Sequence, residues 1–112
     1  MCLFCKIVAK QIPAKVLFED DDLLAFHDIN PGAPTHVLVI PKLHIESLNE
    51  GAEGHTTLLG KLLLATRRAA EETGIEKSGY RVVANTGAHA GQTVFHLHFH
   101  VLGGRAMAWP PG

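Results

Sequence analysis

Only one stretch of this 112-residue chain carries a long helical pattern, and that limits the fold more than any other feature. Over residues 56–73, Leu58, Leu62 and Ala65 recur at spacings of four and three. Leu59 and Leu63 widen the stripe, and Gly74 stands where a helix-ending glycine belongs. The remaining apolar sequence comes in short runs. KVLFED, LLAFHDI, THVLVI, GYRVVAN and TVFHLHFHVL read as strands, broken by the acidic residues 19–22, by Asn30-Pro31-Gly32, by Pro41 and by the NTGAHAGQ loop. One helix cannot supply the crossovers that several parallel strands require. The order therefore predicts an α+β fold, with about five antiparallel strands and one long helix in a single domain over residues 1–112. Such a helix covers only part of one sheet face, so the rest of the apolar surface predicts a partner chain, most simply a symmetric homodimer.

Composition excludes several function classes. Ten Lys and Arg against eleven Asp and Glu, with no block of like charge, give a net charge of −1 and argue against nucleic-acid binding by bulk electrostatics. No apolar run approaches the roughly 18 residues of a membrane span, and MCLFCKIVAK lacks the apolar core and cleavage site of a secretion signal. A cytoplasmic protein with no membrane partner is expected. Cys2 and Cys5, the only cysteines, are too close together at one end to staple a fold, which rules out a disulfide framework. Eight histidines are the unusual figure, and histidine chemistry is where function is to be sought.

Three of them alternate in HLHFHVL. On a strand, His96, His98 and His100 would share one face while Leu97, Phe99 and Val101 pack inward. At strand rise the three span about 13 Å, too far to wrap one ion. Residues 82–104 contain no Lys, Arg, Asp or Glu, and their only hydroxyls are Thr86 and Thr93. Covalent catalysis by this segment would therefore use an imidazole nitrogen attacking phosphorus, with the central His98 the natural nucleophile and its neighbours donating to phosphoryl oxygens. The preceding HAGQTV loop offers backbone N–H groups at Gly91 and Thr93, the Gln92 amide and the Thr93 hydroxyl to an anion. On the residues alone, histidine catalysis and metal binding both stay open.

HLHFHVL fits the His-x-His-x-His-x-x signature of the histidine triad (HIT) superfamily. The resemblance continues through FCKIVAKQIPAKVLFED, AFHDINPGAPTHVLVIPKLHI, GYRVVANTG and AGQTVFHLHFHVLGGR, and the WPPG ending is similar to eukaryotic-type members of the Hint branch of nucleoside phosphoramidases. This resemblance implies a HIT-like fold whose sheet continues across a homodimer. It also implies a hydrolase acting on P–N bonds: a purine nucleoside phosphoramidase that cleaves adenosine 5′-phosphoramidates, such as AMP joined to lysine or another amine, to AMP and amine. His98 would form the nucleotidyl-histidine, His96 and His100 would support it, and His36 would join the hydrogen-bonded chain that fixes the triad's tautomers. Asp28 would accept from the ribose hydroxyls, Ile29 would line the base pocket, and Asn85, Gly91, Gln92 and Thr93 would border the phosphate. Catalysis so implied needs no cofactor.

Without the resemblance, His36 reads as a satisfied core histidine and Asp28 as a turn or capping residue. His27, His55 and His89 read as loop or solvent-facing residues. Thr93 and Asn30 stand where serine is usual in such proteins; Thr93 keeps the hydroxyl, and Asn30 bears on the pocket rim or the turn. Cys2 and Cys5 have the spacing of a zinc half-site, which the resemblance completes with His44 and His96 as a structural zinc site; buried apolar thiols are the simpler reading of the pair. Trp109 reads as an anchor for the tail or, by resemblance, as a reach toward the partner's substrate site. Two other functions compete with the phosphoramidase: a dinucleoside polyphosphate hydrolase, and a nucleotide- or zinc-binding regulatory interaction protein with vestigial catalysis.

Overall fold

The computed structural model describes residues 2–112. A six-residue helix α1 (Leu3–Val8) opens the chain. It is followed by β1 (Val16–Glu19), β2 (Leu23–His27), β3 (Thr35–Pro41), the long helix α2 (Thr56–Glu72), β4 (Tyr80–Val83) and β5 (Phe99–Gly103). The five strands form one sheet in the order β1-β2-β3-β5-β4, every neighbouring pair antiparallel. The α+β architecture expected from the single long helix is the one observed. Because β5 inserts between β3 and β4, its one histidine, His100, lies in the interior of the sheet rather than at an edge.

Helix α2 buries Leu62, Ala65, Thr66, Ala69 and Ala70, a face small enough to let the helix approach β3 and β5 closely. Leu58 and Leu59 pack at its margin, whereas Leu63 is 53% exposed and does not widen the stripe as expected. At 100° per residue, Leu63 falls past the alanine-rich face. The helix ends in paired C-terminal bonds, the Gly74 N–H to the Glu71 carbonyl and the Ile75 N–H to the Ala70 carbonyl, with Gly74 at φ +77°.

Alternation along β3 sends Val37 and Val39 into the core under α2, and Leu38 and Ile40 into a second cluster with Phe4, Ile7, Leu24 and Phe26. Helix α1, which has no counterpart in the sequence-based reading, covers part of this second face. The sheet is therefore roofed on both sides within one chain. Among the described residues, no helix is long and apolar enough to cross a membrane.

The last strand is shorter than expected. Instead of running from Thr93, regular structure begins at Phe99, paired with Val39. The reason lies opposite, in Pro41, which ends β3 and has no N–H to extend the ladder. The Pro41 carbonyl instead accepts from the side chain of His96 at 2.8 Å, and the Leu97 N–H turns to the Ile45 carbonyl at 2.6 Å. Leu97, Phe99 and Val101 still pack inward as expected. The Phe4 ring packs against both His96 and His98, on the side away from Leu97, Phe99 and Val101.

Candidate active site

His98 is buried, and its Nδ1 lies 2.7 Å from the carbonyl oxygen of His96. A carbonyl can only accept, so Nδ1 carries the proton and the lone pair sits on Nε2. Backbone geometry alone thus leaves an unprotonated ring nitrogen with a free lone pair. The edge of the packing around it is aromatic: the Phe4 ring on α1 stands nearly perpendicular to His98 at 5.1 Å between centroids, and His100 lies at 4.9 Å.

A second chain of bonds assigns the other rings. The Gly32 N–H donates to Nδ1 of His36 at 2.9 Å, which leaves the proton of His36 on Nε2. That Nε2–H faces Nδ1 of His100 at 2.8 Å, so the proton of His100 sits on its own Nε2. This last nitrogen is buried and has no partner among the described residues. An unpartnered buried donor is costly unless something arrives to accept from it, and an incoming anion is the natural candidate. Burial keeps these rings neutral. It pushes His100 down to about 4, helped by His98 and His36 and opposed by Asp28. Burial likewise lowers His36, against the pull of Asp28, whose Oδ2 lies 3.4 Å from Nε2. The other oxygen of Asp28 accepts the Asn30 N–H at 2.8 Å, a local turn bond that holds the carboxylate in place.

Beside these rings opens a cavity of about 620 Å³. His98, His100 and Thr93 line one end, Asp28, Ile29 and Asn30 the rim, and Phe4, Ile7, Phe26 and Leu38 an apolar wall. His27, expected among the solvent-facing or loop histidines, is half-buried and lines this cavity too. The α1 wall escaped the sequence-based reading. Its signal was an apolar residue at positions 3, 4 and 7, a helical spacing too short to stand out.

A separate cluster gathers Cys2, Cys5, His44 and His96, their ligand atoms all within 4.8 Å of one another. The sulfur-to-nitrogen separations are 3.3–3.6 Å, and Nδ1 of His44 lies 3.1 Å from Nδ1 of His96. Tetrahedral zinc with ordinary bond lengths would require about 3.6 Å and about 3.3 Å for these edges. The donor set suits a metal in a further respect. The bond from Nε2 of His96 to the Pro41 carbonyl places the lone pair of His96 on Nδ1, facing the thiols, and supplies the outer-shell support typical of metal-binding histidines. Burial lowers His96, the Pro41 bond opposing it, and raises the Cys5 thiol with help from neighbouring Cys2.

The HIT domain profile matches residues 9–107. The chain belongs to the HIT family. A solved structure described as a HIT family hydrolase from Legionella pneumophila superposes with a TM-score of 0.98 at 49% identity, covering 100% of both chains. The 14 kDa zinc-binding protein of Zea mays is 49% identical over 98% of this chain and 87% of its own length. A histidine triad nucleotide-binding protein from Candida albicans superposes at 0.83 with 32% identity, over 98% of this chain and 83% of that one.

Within this HIT domain the residues expected at the phosphate separate into two groups. Thr93 lines the cavity, but Asn85, Gly91 and Gln92 are absent from its lining. Gln92 is buried, and its amide is fully engaged: the nitrogen donates to the carbonyls of Glu46 and Val94 at 2.8 and 3.2 Å, and the oxygen accepts the Gly87 N–H at 2.9 Å. It staples the loop that delivers Thr93. Gly91 supplies that loop with a left-handed turn at φ +80°.

Proposed function

We propose that this HIT protein is a purine nucleoside phosphoramidase that hydrolyses AMP–amine conjugates through a nucleotidyl-His98 intermediate. The observation that carries the reading is the pair of opposed imidazoles at one cavity: His98 with its lone pair on Nε2, and His100 with an unpartnered N–H. Nε2 of His98 bonds to phosphorus as the P–N bond to the amine breaks. The ring then becomes cationic, and the His96 carbonyl bond at Nδ1 strengthens as it does. His100 Nε2–H donates to a non-bridging oxygen, and the departing nitrogen takes up a proton from solvent at the cavity end where the Thr93 hydroxyl lies, a proton the attacking water later returns. Water then cleaves the P–Nε2 bond, releasing AMP and restoring His98. The apolar wall suits a base, and Asp28 at the rim suits ribose hydroxyls. The Legionella and Candida relatives, described as a hydrolase and a nucleotide-binding protein, support this direction.

Zinc is the metal we assign to Cys2, Cys5, His44 and His96. The edge lengths support it, as does the zinc-binding description of the maize relative. At this cluster the ion would tie α1 to the segments carrying His44 and His96; no step of the hydrolysis is assigned to it. Two thiols kept as ligands fit a reducing compartment such as the cytoplasm. The working form is a homodimer, its sheet continued across the open edge of β4, where Val82 is exposed. Turnover of an adenosine 5′-phosphoramidate and of a diadenosine polyphosphate should be compared side by side. Preference for the P–N substrate is the expected result, and preference for the polyphosphate would move the reading to the alternative hydrolase.

A further inference from the structure

We infer that the Cys2–Cys5–His44–His96 cluster acts on the substrate site, so that metal loading and nucleotide binding reinforce one another. This inference rests on the nucleotide reading above. Two physical connections leave the cluster and converge on one ring. The first runs through His96: its Nδ1 faces the cluster, while its backbone carbonyl, 2.7 Å from Nδ1 of His98, sets the tautomer of the nucleophile. The second runs through α1. Phe4 lies between the two cysteines in sequence, its ring 5.9 Å from His96 and 5.1 Å from His98, and with Leu3 and Ile7 it forms one wall of the cavity.

Helix α1 is the element that can occupy two states. Six residues are far too few for a helix to hold itself, and its own buried residues are only Phe4 and Ile7. With the cluster tied, both ends of the first turn are fastened to His44 and His96, and Phe4 is seated against His98. With the cluster untied, α1 is held by the packing of Phe4 and Ile7, with Cys2 and Val8 at their margin, and by the Cys2 cap, which accepts the Cys5 N–H at 3.2 Å. A ligand filling the cavity contacts the same wall and favours the same seated state. Metal and nucleotide thus have a shared preference for one arrangement, which is the condition for positive coupling. Phe4 is the positioning residue of this coupling.

The test measures both sides of the linkage. Zn²⁺ affinity is determined by competition with a chromophoric chelator, with and without saturating AMP, and AMP affinity by calorimetry on the zinc-loaded and chelated protein. AMP is expected to tighten Zn²⁺ binding about fivefold or more, Zn²⁺ to tighten AMP binding by the same factor, and Phe4→Leu to bring that factor toward one while Zn²⁺ still binds. Equal Zn²⁺ affinities with and without AMP, in a protein that binds AMP, would overturn the coupling and leave the nucleotide reading standing. No AMP binding by either form would overturn the nucleotide reading and the coupling with it. The wild-type factor requires no variant, so the test holds even if Phe4→Leu does not fold.

Discussion

At the scale of single residues, the site is governed by which ring nitrogen holds each proton. Four imidazoles of the same type acquire different roles because their partners differ: a carbonyl for Nδ1 of His98 and for Nε2 of His96, a backbone N–H for Nδ1 of His36, and a neighbouring ring for His100. Neutrality of the buried rings has a consequence for stability. His100 titrates near 4 in the folded protein and near 6.5, the ordinary value, when unfolded, so the unfolded chain binds more protons between those values. Stability should therefore fall as pH drops from about 6.5 to about 4, with lowered His36 and His96 acting in the same sense. Thermal melts across this range should show the decline in wild type and a shallower one in His100→Asn; a flat wild-type profile would mean these rings are not buried and neutral.

At the scale of elements, the site depends on where β5 stops. The alternation in HLHFHVL correctly places Leu97, Phe99 and Val101 in the core, because period-two patterning reports burial even where the ladder has lapsed. It could not report that Pro41, more than fifty residues away, takes the His96 side chain as a hydrogen-bond partner where the ladder lapses. His98, the nucleophile of the proposed reaction, stands out in the sequence because it lies within a local pattern. The tautomer chain does not, since Gly32, His36 and His100 meet only through the pairing of β3 with β5. Gln92 shows the same limit: a polar side chain beside a glycine loop suggests an anion contact, yet its amide is used on three backbone groups. Gln92→Ala would leave those groups without partners and should cost about 1–3 kcal/mol. Chemical denaturation measures that loss, and a change below a few tenths would contradict the staple.

At the scale of the whole molecule, a six-residue helix completes what the sheet and α2 leave open. It covers part of the second sheet face, walls the cavity and, with Cys2 at its N-cap, supplies two of the four residues of the candidate metal cluster. Metal removal should therefore be felt globally. A bound ligand at about 100 times its dissociation constant adds about 2.7 kcal/mol to folding stability, so chelation should lower the melting temperature by about 10 °C. Elemental analysis should find about one zinc per chain in wild type and none in the Cys2→Ser/Cys5→Ser variant, whose melting temperature chelation should not move. A double variant that retains stoichiometric zinc would contradict the cluster assignment.

The central claim is that His98 bonds to phosphorus, and the most direct measurement is a reaction with an adenosine 5′-phosphoramidate quenched in alkaline denaturant, which preserves the acid-labile P–N bond, followed by peptide mass analysis at alkaline pH and paired with turnover by His98→Ala. A nucleotidyl adduct on the peptide carrying His98 is predicted in wild type, together with a fall in turnover of about 10⁴-fold or more in the variant and retained AMP binding. Near-normal turnover by His98→Ala would contradict the account.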